Sequence, residues 1–75
     1  MVEEVRAEIV AVVSEVLTAA GDTIAEGEPL VVLESMKMEI PVLAENDGRI
    51  LEVQVVPGDT VQEGDLLAVI GQEGG

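Results

Sequence analysis

The residue of this chain best suited to covalent chemistry is its single lysine. Lys37 is the only lysine in 75 residues, and it lies in the segment ESMKME (34–39) between two of the three methionines. A lysine can serve as a charge, as a nucleophile or as an attachment point. Which role applies depends on the local structure that presents the amine.

Strand-like sequence flanks Lys37 on both sides, at 30–33 and at 40–44, so residues 35–38 are predicted to form a hairpin tip. A two-residue hairpin turn normally contains Asn-Gly or a similar pair. Because Met-Lys departs from that preference, the tip is a candidate functional site.

Each of the three roles makes a different demand on this hairpin. As a charge between Glu34 and Glu39, Lys37 would form an exposed ion pair that contributes at most about 1 kcal/mol. A nucleophilic lysine needs a pocket that lowers the pKa of its amine, which a tight hairpin on a small domain does not provide. An exposed amine on a stiff hairpin suits attachment, because another protein can enclose it. A lysine that only adds solubility is the alternative.

The neighbours of Lys37 allow further interpretations. Met36 and Met38 offer soft apolar surface for a partner, but from residue type alone they are more often plugs at the end of a core. Ser35 and Lys37 would share a face on a regular strand, as a Ser-Lys hydrolase dyad requires. That dyad also needs an oxyanion hole and a cleft, so we expect no catalytic residues in so short a chain.

Composition excludes several classes of function. The formal charge is −13, which argues against nucleic acid or an anionic membrane as a partner. The chain has no His, Cys, Trp, Tyr or Phe, which excludes thiol catalysis, disulfides, His/Cys zinc sites and base stacking. Most acidic residues are expected to form a solvated surface, and pairs such as Glu26 and Glu28 lack the spacing of a calcium loop, so no metal is expected.

Length and patterning indicate one small all-β domain spanning residues 1–75. Short Val/Ile/Leu runs such as 9–13, 30–33 and 66–70 alternate with Gly, Asp and Pro, and 51–55 has the period of a half-buried strand. A helix over residues 2–20, which lack Gly and Pro, is the weaker alternative. No secretory signal is visible, so a cytoplasmic location is the default expectation.

An internal repeat is the strongest organisational signal. GDTIAEGEPLVVL (21–33) and GDTVQEGDLLAVI (58–70) share seven of thirteen residues at an offset of 37. Two copies are too few for a solenoid, so they indicate a closed sandwich with pseudo-twofold symmetry. Pro57-Gly58 fits the centre of a type II turn, and Gly27 with Gly64 mark a second turn in each copy. We interpret these glycines as residues that only shape the turns.

The ESMKME segment between two copies of the turn motif resembles the attachment site of the biotinyl/lipoyl attachment domain family, over residues 5–71. The Met-Lys-Met triplet and the short chain are most similar to free-standing biotin-attachment members. The resemblance implies a flattened antiparallel β-barrel or sandwich of two four-stranded halves with quasi-twofold symmetry. It also implies biotin bound covalently to Lys37, with Met36 and Met38 as flanking motif and Glu34 in ligase recognition.

The same resemblance implies a carrier rather than an enzyme. A biotin–protein ligase would modify Lys37, and biotin would carry a carboxyl group between biotin carboxylase and carboxyltransferase subunits. The isolated domain is expected to be a monomer. A lipoyl carrier of a dehydrogenase complex, with lipoate on Lys37, is one alternative. An unmodified acidic interaction module is the other.

Overall fold

The computed structural model describes residues 2–72, which form eight strands. The strands are β1 (Val2–Arg6), β2 (Ala11–Val16), β3 (Thr23–Ile24), β4 (Pro29–Ser35), β5 (Met38–Leu43), β6 (Gly48–Val53), β7 (Thr60–Val61) and β8 (Leu66–Gly71). The helical alternative for residues 2–20 is wrong, because β1 and β2 occupy most of that segment. Its β-branched residues pack better in a sheet than in a helix. Residues 2–72 hold no helix with the length and hydropathy to cross a membrane.

The strands form two four-stranded antiparallel sheets, which confirms the predicted fold class. One sheet has the order β1-β8-β6-β3 and the other has the order β5-β4-β2-β7. Every strand pairing within them is antiparallel. Strands β1 and β5 lie at the edges of their respective sheets.

The offset of 37 residues found in the sequence also relates the two sheets. It maps β2 onto β6 and β3 onto β7, and it maps β4 onto β8. The same offset relates β5 to β1, and each of these strands pairs with the equivalent partner, β4 or β8. Residues 37 apart are called quasi-equivalent below. The predicted pseudo-twofold arrangement is therefore confirmed.

The turns of the two copies have the same geometry. Gly21 and Gly58 both have a φ of 97°, a conformation that glycine adopts without steric cost. The amide of Asp59 donates to the carbonyl of Val56 at 3.1 Å across Pro57-Gly58. This bond and the positive φ at the third residue agree with the predicted type II turn.

Some of the acidic residues stabilise these turns as well as solvating the surface. The Asp59 carboxylate accepts a hydrogen bond of 3.0 Å from the amide of Val56, and Asp22 accepts one of 2.8 Å from the amide of Ala19. No acidic side chain within residues 2–72 is buried. In the same range, no three or more His, Cys, Asp or Glu side chains are grouped so that they could hold a metal ion.

The core between the sheets is entirely aliphatic. Its buried members come from both sheets and form one cluster, without a buried polar or charged side chain in residues 2–72. Because the chain has no aromatic residue, leucine, isoleucine and valine fill this space. The largest fully buried side chains are Leu30, Leu33, Ile50, Leu67, Ile70, Val13 and Val31.

Candidate functional site

The strand register places Lys37 in a two-residue hairpin loop. Ser35 pairs with Met38 at the end of β4 and the start of β5, so only Met36 and Lys37 lie between the strands. The predicted hairpin tip at residues 35–38 is therefore confirmed.

Both residues of this loop have a left-handed backbone. The φ angle is 53° at Met36 and 68° at Lys37, and within residues 2–72 no other non-glycine residue has a positive φ. Positive φ at both central positions is the signature of a type I′ turn, which matches the twist of a hairpin. For residues with a Cβ atom, this conformation costs roughly 1–2 kcal/mol each. The fold therefore keeps an unfavourable turn sequence at an exposed hairpin tip.

The side chains of the loop extend into solvent. Met36 is 92% exposed and Met38 is 63% exposed, and Lys37 is also exposed. The interpretation of these methionines as core plugs is wrong, because the hairpin carries both beyond the last buried layer of the sandwich. Within residues 2–72, the Lys37 ammonium makes no hydrogen bond and no ion pair.

Glu34 and Glu39 are directly opposite each other at the base of the tip. Both are exposed and point away from the core, since Leu33 on the adjacent position is buried. Lys37 forms no ion pair with either glutamate, so a role as a charge between them is not realised in this structure. Two carboxylates at a directly opposed position destabilise a hairpin slightly.

Ser35 does not form a dyad with Lys37. Ser35 is half-buried at the end of β4, whereas Lys37 lies in the turn and no longer continues the strand alternation. No hydrogen bond joins these two residues. The tip therefore offers one isolated amine without a neighbouring group that could activate it.

Two surface cavities of similar size lie beside the sheets rather than at the tip. One has a volume of about 470 Å³ and lies between β5 and the segment 4–9, with Leu33 and Ile40 among its lining residues. The other, of about 500 Å³, is bordered by Thr23 and Gly48. Neither of these two cavities is lined by Lys37.

Sequence reasoning missed an apolar surface next to the hairpin. Ile9, Val10 and Val12 are 38%, 62% and 42% exposed. Val12 pairs with Glu34 on the neighbouring strand, so these residues flank the base of the tip. The signal was present as the unbroken apolar run 9–13, of which only Ala11 and Val13 are buried.

The fold and this exposed lysine agree with the comparison to known families. The family model described as "Biotin-requiring enzyme", that of biotin/lipoyl domains, matches residues 3–70. The chain belongs to the biotin/lipoyl domain family. The resemblance inferred from the ESMKME segment and the repeated turn motifs is thereby confirmed.

A similar relative of this biotin/lipoyl domain is named "Biotinylated protein TB7.3 homolog" and comes from Mycobacterium leprae (strain TN). The two sequences are 60% identical over 70 residues. The match covers 93% of this chain and 99% of the relative, so the likeness extends over almost the whole of both proteins.

Two solved structures show the same fold in different settings. A segment of the urea carboxylase of Kluyveromyces lactis superposes with a TM-score of 0.89 at 31% identity, covering 95% of this chain and 6% of the carboxylase chain. The lipoyl domain of the 2-oxoglutarate dehydrogenase complex of Azotobacter vinelandii superposes with a TM-score of 0.77 at 28% identity. That match covers 93% of this chain and 99% of the lipoyl domain. The fold thus occurs as a small part of a carboxylase chain and as the lipoyl domain of a dehydrogenase complex.

Proposed function

We propose that this domain is a biotin carrier and that Lys37 is the residue that becomes biotinylated. The observation that carries the proposal is the placement of the single lysine at the outer position of an exposed two-residue turn. The names of the biotinylated relative and of the family model support biotin as the cofactor.

The attachment reaction needs only an accessible amine from this chain. The neutral Lys37 amine attacks the carbonyl carbon of biotinyl-adenylate, an amide bond forms, and the bond from that carbon to the phosphate oxygen breaks as AMP leaves. The proton lost from the nitrogen passes to a base of the biotin–protein ligase, because no group within residues 2–72 forms a hydrogen bond or an ion pair with this amine. The rigid hairpin presents the amine so that the ligase orders few residues on binding.

Tethering is the contribution that the domain makes to the later chemistry. When attached, biotin supplies a ureido nitrogen that accepts a carboxyl group at a biotin carboxylase site and gives it up at a carboxyltransferase site. The domain raises the local concentration of the carrier at both sites. Its negative charge favours basic partner surfaces and encounters that weaken with salt. The likeness to part of a carboxylase supports this assignment of partners.

Met36, Met38 and Glu34 are proposed to identify the tip to the ligase. The methionines supply exposed thioethers that a shallow apolar pocket can accommodate, and Glu34 supplies a carboxylate at the base of the turn. Each of the substitutions Met36→Ala, Met38→Ala and Glu34→Gln is expected to slow biotinylation without unfolding the protein. Unchanged initial rates for all three variants would remove these residues from the recognition site.

A lipoyl carrier is the second candidate function. It is favoured by the superposition on a lipoyl domain of nearly the same length, in which the match covers 99% of that domain. Both functions require the same exposed lysine on the same hairpin, so the fold does not separate them. The Met-Lys-Met triplet and the biotinylated relative favour biotin.

Blotting of the protein from its native host distinguishes the candidates. A streptavidin signal that disappears in Lys37→Arg is expected, because arginine keeps the charge but is a poor acyl acceptor. An anti-lipoyl signal without a streptavidin signal would transfer the proposal to the lipoyl carrier. Neither signal, in a host with ample biotin and ligase, would identify an unmodified acidic module.

A further inference from the structure

The hairpin end and its quasi-equivalent end have different surface chemistry at matching positions. We define the tip patch as the exposed apolar residues at the hairpin end, Ile9, Val10, Val12, Met36 and Met38. The quasi-equivalent positions of Ile9, Val10 and Val12 hold polar residues. The quasi-equivalent position of Ile40, which is half-buried next to the patch, holds a glutamate. These pairs are Ile9/Asn46, Val10/Asp47, Val12/Arg49 and Ile40/Glu3.

Apolar side chains at positions 9, 10 and 12 are not required by the fold, because polar residues occupy the quasi-equivalent backbone positions. At the other end, the Glu3 carboxylate accepts hydrogen bonds from the amide of Glu45 at 3.3 Å and from the side chain of Asn46 at 3.2 Å. At the hairpin end, the matching residues Ile40 and Ile9 border the same cavity. The matching positions therefore form a polar contact at one end and line an apolar part of a cavity at the other.

Two pairs of positions show the opposite preference. Val2 is 59% exposed and its quasi-equivalent residue is Glu39, whereas Leu51 is 49% exposed and its quasi-equivalent residue is Ser14. Val2 and Leu51 belong to different strands, but the exposed apolar residues of the tip patch in segment 9–12 fall within four consecutive residues that lead into the strand beside the tip. Exposed apolar residues grouped beside a candidate site mark interaction surfaces.

We propose that the tip patch is the surface on which the biotin–protein ligase docks, an inference that rests on the proposed function. An unmodified lysine has a short side chain, so the enzyme that acylates it must approach the protein around the base of the hairpin. Enzymes that act later meet the much longer biotinyl arm and need not approach as closely. The ligase is therefore the partner that must come closest to the surface beside the hairpin, where Val10 and Val12 lie.

Charge around the patch specifies the complementary surface of the ligase. Glu8, Glu34 and Glu39 are exposed near the apolar residues, and the chain carries a formal charge of −13. A partner with an apolar centre and a basic rim fits this arrangement, as in protein interfaces generally. The apolar contacts are expected to determine residence time, and the charges are expected to accelerate the encounter.

The test separates docking from chemistry by using a variant that cannot be acylated. A purified biotin–protein ligase biotinylates the wild-type protein in the presence of biotin and ATP. The Lys37→Arg variant is added as a competitor, and its inhibition constant for this reaction is measured. The same competitor with Val10→Asn and Val12→Thr is compared with it. The matched control carries Leu17→Gln, in which an exposed leucine receives the residue of its quasi-equivalent position, Gln54.

The control lies just past the end of β2 that is farther from the tip. The amide of Leu17 bonds to the carbonyl of Leu30, five residues or about 16 Å along β4 from Ser35. Thermal unfolding by circular dichroism establishes that each competitor is folded. Val10→Asn alone is the second variant, because Val10 lies outside the strands and is 62% exposed.

We expect the Val10/Val12 changes to raise the inhibition constant about tenfold, and Val10→Asn alone about threefold, as for moderate interface residues. Leu17→Gln is expected to change the inhibition constant of the Lys37→Arg competitor by less than about twofold. Equal inhibition by all folded competitors would overturn the docking proposal while leaving the carrier function intact. If the wild-type protein accepts no biotin, the proposed function itself fails, and the two failures are thereby distinguished.

Discussion

The two ends of this sandwich have the same strand pairing but differ in the turn that holds Lys37 and in the side chains around it. At the hairpin end, β4 continues into β5 through two residues with positive φ. At the quasi-equivalent end, β8 pairs with β1 in the same way, with Val2 opposite Gly71, but β1 is the first described strand and β8 is the last. The hairpin end is also apolar at positions 9, 10 and 12, whose quasi-equivalent residues are polar.

This difference distinguishes the features that stabilise the fold from the features that belong to the candidate site. The core, the glycine turns and their carboxylate hydrogen bonds appear in both copies, so they serve stability. Within residues 2–72, a turn with positive φ at two non-glycine residues occurs at the hairpin end alone, as does the exposed apolar group Ile9, Val10 and Val12. Because stability is small in a domain of this size, features that cost free energy without a structural return indicate function.

The largest change in the free energy of unfolding is expected for substitutions in the core, where the two copies are most alike. Leu30 and Leu67 are quasi-equivalent and each is fully buried. Replacing either by alanine is expected to lower the free energy of unfolding by about 2–5 kcal/mol, since each leaves a cavity in the same core. Urea unfolding of both variants measures this, and costs that differ by more than about 2 kcal/mol would show that the two halves are energetically unequal.

The turn at the tip is expected to gain stability when its sequence is made conventional. Met36→Asn with Lys37→Gly supplies residues that tolerate positive φ and should raise the free energy of unfolding by about 1–2 kcal/mol. The same variant loses the acceptor amine. A lower melting temperature in differential scanning calorimetry would contradict the description of the tip as a strained turn.

The repeated glycine turns allow the reverse substitution, in which a residue that tolerates positive φ is replaced by one that does not. Gly58 and Gly21 have equal φ, and a Cβ atom added at either position would meet no atom within 4 Å beyond its chain neighbours. Alanine at either site is therefore expected to cost about 1 kcal/mol through backbone strain alone. Thermal unfolding should give the same cost for both variants, and a cost at only one of them would break the equivalence of the two turns.

The smallest effect concerns the carboxylates at the base of the tip. Glu39→Gln removes the like-charge pair with Glu34 and should stabilise the protein by about 0.2–0.5 kcal/mol at low salt. At about 1 M salt the gain should disappear, because exposed charges are then screened. A gain that persists at high salt would indicate a cause other than charge repulsion.

The sequence predicted the repeated parts of the molecule well. Shared turn motifs at a constant offset anticipated the sandwich and its pseudo-twofold axis, because glycine and aspartate are constrained by turn geometry. The equivalence of β1 and β5 was not predictable in this way. Their sequences, VEEVR and MEIPVL, share almost no residues, and their likeness is visible only from the strands with which they pair.

At the site, residue type misled in two respects. Methionine is apolar, so burial was the expected state of Met36 and Met38, yet the hairpin carries both past the core. The run 9–13 appeared as one apolar segment, and only strand alternation divides it into a buried and an exposed set. Burial of individual side chains depends on where a strand ends, which a single sequence specifies poorly.

The central claim is that the amine at this tip is the acceptor of the cofactor. Intact-mass measurement after incubation with a biotin–protein ligase, biotin and ATP tests it directly, with Lys37→Arg as the control. One added biotin less one water on the wild-type protein, mapped to Lys37 by peptide sequencing, and an unchanged mass for Lys37→Arg are predicted. An unmodified wild-type protein, or a biotinylated Lys37→Arg variant, would contradict it.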